Sequence, residues 1–137
     1  MSNQATLKNL FAGRVKLDTV LDHIQENMTK QGKASVNEKG NCMYFSADGC
    51  NCAIGSILPK SLKGKIREGG SVFGLIKENT ELFGYKKSLL SLGSDPVLQC
   101  LMSVQRAHDY AATCENFAES FNNQMKHVRS RYTEMAK

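Results

Sequence analysis

The chain has 137 residues, 41% hydrophobic and 23% charged, with no Trp, a length and balance that suit one domain over 1–137 and leave little room for a second. A formal charge of +5, from 18 Lys plus Arg against 13 Asp plus Glu, favours anionic partners, nucleic acid among them. No stretch approaches about eighteen consecutive apolar residues, and Met1 to Lys8 is polar, so neither a membrane span nor a signal peptide is expected and the protein should be cytoplasmic.

Residues 1–14 are expected to form a mobile N-terminal segment. Leu17, Val20, Leu21, Ile24 and Met28 then recur at helical spacing and predict an amphipathic helix ending near Gly32, with Glu26 and Lys30 as an ordinary pair on its outer face. Residues 34–40 have the composition of a turn. Cys42-Met43-Tyr44-Phe45 is a compact apolar run, and the Asp48-Gly49 pair that follows is a hairpin-turn signal, so Asn41 to Cys52 is expected to be a two-stranded ribbon. An isolated hairpin is marginal in water and must lay one face on helices.

Ala53 to Leu58 predicts a short helical turn that Pro59 ends. Residues 60–70 carry Lys60, Lys63, Lys65 and Arg67 among glycines and are expected to be an exposed basic loop. Ser71 can cap a short helix bearing Val72, Phe73, Leu75 and Ile76. Asp95-Pro96 is a clean helix start, and Val97, Leu101, Val104, His108 and Ala111 give that helix a core-facing seam with a histidine in it. Phe117, Phe121, Met125, Val128 and Tyr132 mark a final amphipathic helix. The expected fold is α-dominant α+β, with two long C-terminal antiparallel helices and one small β-hairpin packed on them.

Two features carry candidate chemistry. Five cysteines, Cys42, Cys50, Cys52, Cys100 and Cys114, are an odd count that suits free thiols in a reducing compartment. The other feature is His108 on its apolar seam.

Cys42-Met43-Tyr44, the Asp48-Gly49 turn, Cys52-Ala53-Ile54-Gly55, Ile57-Leu58-Pro59 and Gln105-Arg106-Ala107-His108-Asp109 resemble a group of small bacterial and bacteriophage proteins of unknown function. The likeness runs from about Leu17 to Phe121 in order. Cys50 and the basic insert from Lys60 to Gly70 depart from that pattern. The resemblance implies a bacterial or phage setting, with the host cytoplasm as location, and supplies no activity.

Three readings of the cysteines and histidine follow from the residues. In the first, Cys52 lies in the first turn of a short helix, where free amides favour a thiolate; His108 is its base, and Asp109 or Gln105 orients the ring, as in a cysteine hydrolase or transferase. Successive helical residues diverge by about 100°, which argues against Asp109 reaching the His108 ring. In the second, Cys42, Cys50, Cys52 and His108 hold Zn²⁺, although the single residue between Cys50 and Cys52 is unlike the usual zinc knuckle. In the third, the thiols Cys42, Cys52, Cys100 and Cys114 fill the core, and His108 ties the ribbon backbone, near Tyr44, to the main helix through one ring nitrogen. His23 and His127 have no supporting neighbours and should lie at the surface.

The third reading is preferred. It leaves surface recognition as the function: a non-enzymatic protein that binds a macromolecular partner, with Lys60, Lys63, Lys65 and Arg67 meeting an acidic protein surface, as in a phage-encoded modulator of a host protein. The thiol enzyme and the zinc-binding or nucleic-acid-binding module are the alternatives.

Overall fold

The computed structural model describes residues 4–136, with side chains described through Tyr132. Its α-helices are α1 (Leu7–Phe11), α2 (Leu17–Gln31), α3 (Val72–Glu78), α4 (Thr80–Phe83), α5 (Pro96–Ala111) and α6 (Phe117–Ala136), with 3₁₀ turns at Gly55–Ile57, Lys60–Leu62 and Leu89–Ser94. None of the helices is long and apolar enough, over the described residues, to cross a membrane.

The apolar stripe of α2 is buried at Leu17, Val20, Leu21, Ile24 and Met28, and Gly32 ends the helix in the left-handed region at φ +70°. At the other end of the chain, Asp95 caps α5 by accepting from Val97 N at 3.0 Å and also takes the Tyr85 hydroxyl at 2.8 Å. Helix α6 turns back along α5 and is tied to α2 by Arg129. That guanidinium pairs with Asp18 and Asp22 and donates to Gln25 Oε1 at 2.7 Å, while Gln25 donates to Asn122 at 2.9 Å. The core lies between these three long helices, where Ile24, Leu101, Phe121 and Met125 are fully buried. Within the N-terminal segment, α1 buries Leu7 completely.

The expected β-hairpin is not formed, and the fold is all-α rather than α+β. Among the described residues there is no strand; only two isolated antiparallel bridges occur, Val36 with Cys42 and Phe45 with Asn51. The turn itself is present: Gly49 has φ +86°, Ser46 N donates to Cys50 O at 2.9 Å and Gly49 N to Ser46 O at 3.1 Å. The ladder stops where a main-chain donor that would extend it, Tyr44 N, is engaged elsewhere. Tyr44 N and Phe45 N donate to the two Glu68 carboxylate oxygens at 2.6 and 3.2 Å. Gln31 brackets Asn51, accepting from its N and donating to its O, each at 2.8 Å. A backbone N–H that donates to a side chain from another element cannot also donate across a ladder, and Tyr44 N is the donor the next rung would need.

Segment 60–70 follows the turn at Gly55–Ile57. Leu62 and Ile66 are buried in the core, whereas Lys60, Lys63, Lys65 and Arg67 are exposed.

Candidate functional site

His108 is fully buried in the last turns of α5, with its ring edge-on to Phe117 at 5.4 Å between centroids. Ser35 N donates to its Nε2 at 3.2 Å. A backbone N–H can only donate, so Nε2 is the unprotonated nitrogen and Nδ1 carries the proton. That proton points at Asp109 Oδ1, 3.1 Å away. The divergence of adjacent helical residues does not prevent this contact. Nδ1 is the ring nitrogen nearer the backbone, and the short Asp109 side chain folds back onto it. The main-chain tie expected near Tyr44 is made instead at Ser35, whose O accepts from Met43 N at 3.0 Å and whose Oγ donates to Cys50 O at 3.3 Å.

Asp109 collects further donors. Gln105 Nε2 donates to it at 3.1 Å, while Gln105 Oε1 accepts from Ile54 N at 3.3 Å. The Cys42 thiol also points at the carboxylate. Partial burial would raise the Asp109 pKa, but hydrogen bonds from His108, Cys42 and Gln105 outweigh it and hold the carboxyl below its ordinary value. The reciprocal effect falls on Cys42: burial first, and then the adjacent Asp109, push its thiol up to about 12. Cys42 therefore donates S–H to a carboxylate and is not a thiolate near neutral pH.

Cys52 is also a protonated thiol. Gly55 N reaches its Sγ at 3.3 Å, and the Gly55 and Ile54 amides favour the anion, yet complete burial is the larger effect and pushes the thiol up to about 12. Cys100 is pushed to about 12 by burial as well, and burial also raises Cys50, which lies beside Asp48 and Lys33. At pH 7 we expect iodoacetamide to alkylate Cys42 and Cys52 slowly, with rates that climb as the pH is raised toward 10. Time-resolved peptide mapping by mass spectrometry checks this, and rapid labelling of Cys52 at neutral pH would contradict it.

The cysteines do not converge as a set. Cys42 Sγ, a ring nitrogen of His108 and a carboxylate oxygen of Asp109 lie within 4.8 Å of one another, and neither Cys50 nor Cys52 belongs to that group. A metal bound there through Nδ1 would have to displace the proton that the Ser35 hydrogen bond assigns to that atom. Loading the group with Zn²⁺ thus requires His108 to release Ser35 N or to become an imidazolate, and Cys42 to lose a proton held at about 12.

These residues form the wall of a cleft of about 610 Å³ lined by Cys42, Tyr44, Cys52, Glu68, Gln105 and Asp109. The Tyr44 hydroxyl donates to Gly70 O at 3.1 Å, so segment 60–70 closes the cleft on one side and holds the 44–45 main chain through Glu68. Glu68 and Ser35 are the residues that motif reasoning passed over. Glu68 is the one acid within residues 60–70, which was the available signal. On the outer face of the segment, Lys60, Lys63 and Lys65 make no ion pair among the described residues, while Arg67 pairs with Glu78 at 3.4 Å.

Compared with known proteins, the chain matches no family model, no curated protein and no solved structure.

Proposed function

We propose that this protein acts by binding and not by catalysis: the cationic face formed by Lys60, Lys63 and Lys65 receives an acidic surface of a partner protein. The observation that carries this reading is the mounting of the three lysines. Each is exposed and without an ion pair among the described residues, on a main chain anchored by buried Leu62 and Ile66 and by the Glu68 carboxylate. A segment already ordered loses less conformational freedom on docking than a free loop, so more of the electrostatic gain appears as affinity. The protonated state of Cys42 and Cys52 near neutral pH supports the non-enzymatic reading.

An acidic protein surface suits the segment better than nucleic acid. Its one guanidinium, Arg67, is engaged by Glu78, and no aromatic ring accompanies the lysines to stack on a base. The resemblance to small phage proteins makes a host protein the natural partner, met in the host cytoplasm.

The test compares the native protein with the K60E/K63E/K65E variant as baits in bacterial lysate, with and without nuclease treatment. Charge reversal is expected to abolish recovery of the specific partner while shifting the melting temperature by no more than about 2 °C, since surface substitutions clear of caps and core are close to neutral. Equal recovery by both baits would remove this face from consideration. Recovery that disappears with nuclease alone would transfer the face to nucleic acid.

A further inference from the structure

A second cationic surface lies away from the cleft, in the groove where α6 runs back along α5. The groove has a volume of about 840 Å³, and no Asp or Glu is among the described residues that line it. Arg106 and Tyr110 stand four residues apart on α5, and His127 and Arg131 four apart on α6, so each helix presents a pair separated by about 6 Å along its axis. Ser103 and Tyr132 also line the groove. Tyr110 is 56% exposed, so its ring face is open to solvent beside the groove. Neither Arg106 nor Arg131 makes an ion pair among the described residues, in contrast to Arg129, which the next helical face commits to Asp18 and Asp22.

We infer that this groove binds a short stretch of single-stranded nucleic acid. Two guanidinium groups with no ion pair among the described residues supply forked donors for phosphate oxygens, and the imidazole and hydroxyl groups add shorter-range donors. The exposed Tyr110 ring gives a base a face to stack on, flanked by Arg106 one turn away. Among the described residues the groove lining carries no acidic side chain, which fits a chain of repeated anionic units. Base stacking between helices also demands unpaired bases, so a duplex is excluded by shape. This inference is independent of the lysine face proposed above, because the two surfaces share no residue.

The experiment measures binding of fluorescein-labelled dT₁₂ by anisotropy at 50 and 200 mM NaCl. Expected are saturable binding, a drop of about tenfold or more in affinity between the two salt concentrations, and a loss of about tenfold or more in the R106Q/R131Q variant and again in Y110A. K60E/K63E/K65E should bind dT₁₂ within about threefold of the native protein, which separates this groove from the lysine face. No binding at 50 mM NaCl would overturn the inference, as would loss of binding in the lysine variant with the groove variants unaffected. Competition by duplex DNA or by dTMP at equal phosphate concentration, with dT₁₂ displaced as effectively as by itself, would also overturn it. Circular dichroism melts of R106Q/R131Q and Y110A, expected to match the native protein, exclude unfolding as the cause of any loss.

Discussion

Replacing Gly55 by alanine is expected to destabilise the protein by about 3 kcal/mol, enough to lower its melting temperature by roughly 10 °C. A Cβ at this position would lie 2.1 Å from the Tyr44 carbonyl oxygen and 2.9 Å from its carbon, and both are main-chain atoms. A flexible side chain would yield cheaply; this carbonyl cannot. Its residue is held at the amide by Glu68 and at the hydroxyl by Gly70 O, and the carbonyl accepts from Cys52 N at 3.4 Å. Relief would have to move the 44–45 main chain, the Gly55–Ile57 turn or both. Gly74→Ala is the matched control. There the nearest atom to a new Cβ is Ser71 Oγ at 3.6 Å, an ordinary contact, and the helical position should gain up to about 1 kcal/mol. Urea unfolding of the two variants should displace the midpoint in opposite directions with little change in slope. Equal stability of Gly55→Ala and the native chain would show that the close approach of Gly55 to Tyr44 is not maintained in solution.

His108→Ala should be the other severe substitution, costing about 3 to 5 kcal/mol. Two effects add: a buried Ser35 N–H loses its acceptor, about 1 to 3 kcal/mol, and a cavity opens against Phe117 in a fully buried site. The assignment of the ring proton can be checked separately by nitrogen NMR of the native protein. Nδ1 should carry the proton and Nε2 should show the shift of a bare nitrogen; a protonated Nε2 with an unprotonated Nδ1 would refute the Ser35 contact as described. Loss of the imidazole also frees Asp109 from one of its donors, so its carboxyl pKa should move back toward the ordinary value.

Much of the helical frame is legible in residue spacing, because α2, α5 and α6 are long enough for an apolar stripe to repeat over several turns. Asp95 and Gly32 mark two of their ends through chemistry that acts within a residue or two. The ribbon misleads for a physical reason. Cys42 to Phe45 and the Asp48-Gly49 turn are sound local signals, and the turn forms, but extension of the pairing is blocked by Glu68, which takes the Tyr44 amide from more than about twenty residues away in the chain. No pattern within the segment reports that its amides are taken.

The candidate site is legible to a similar depth. His108 stands out as a polar residue on an apolar seam, yet which cysteine it would meet depends on how the turn packs. Cys42 Sγ lies within 4.8 Å of a ring nitrogen of His108 and of an Asp109 oxygen, whereas Cys52 turns its sulfur to Gly55 N. The contact between His108 and Asp109 also lay beyond a rule of helical angles, since it depends on how a short side chain can curl back toward the ring nitrogen nearest its own backbone. In Lys60 to Gly70 the lysines conceal Glu68, whose carboxylate does the opposite job of its neighbours by reaching inward.

That inward reach sets a limit on how the protein can diverge. The lysines can be exchanged singly, since each projects from a backbone that does not depend on it. Shortening or transplanting the stretch is another matter: it would withdraw the keystone of the neighbouring thiol-bearing loop. Side-chain changes at constant length should therefore be tolerated here, whereas a version with this stretch deleted should lose the architecture of the neighbouring loop.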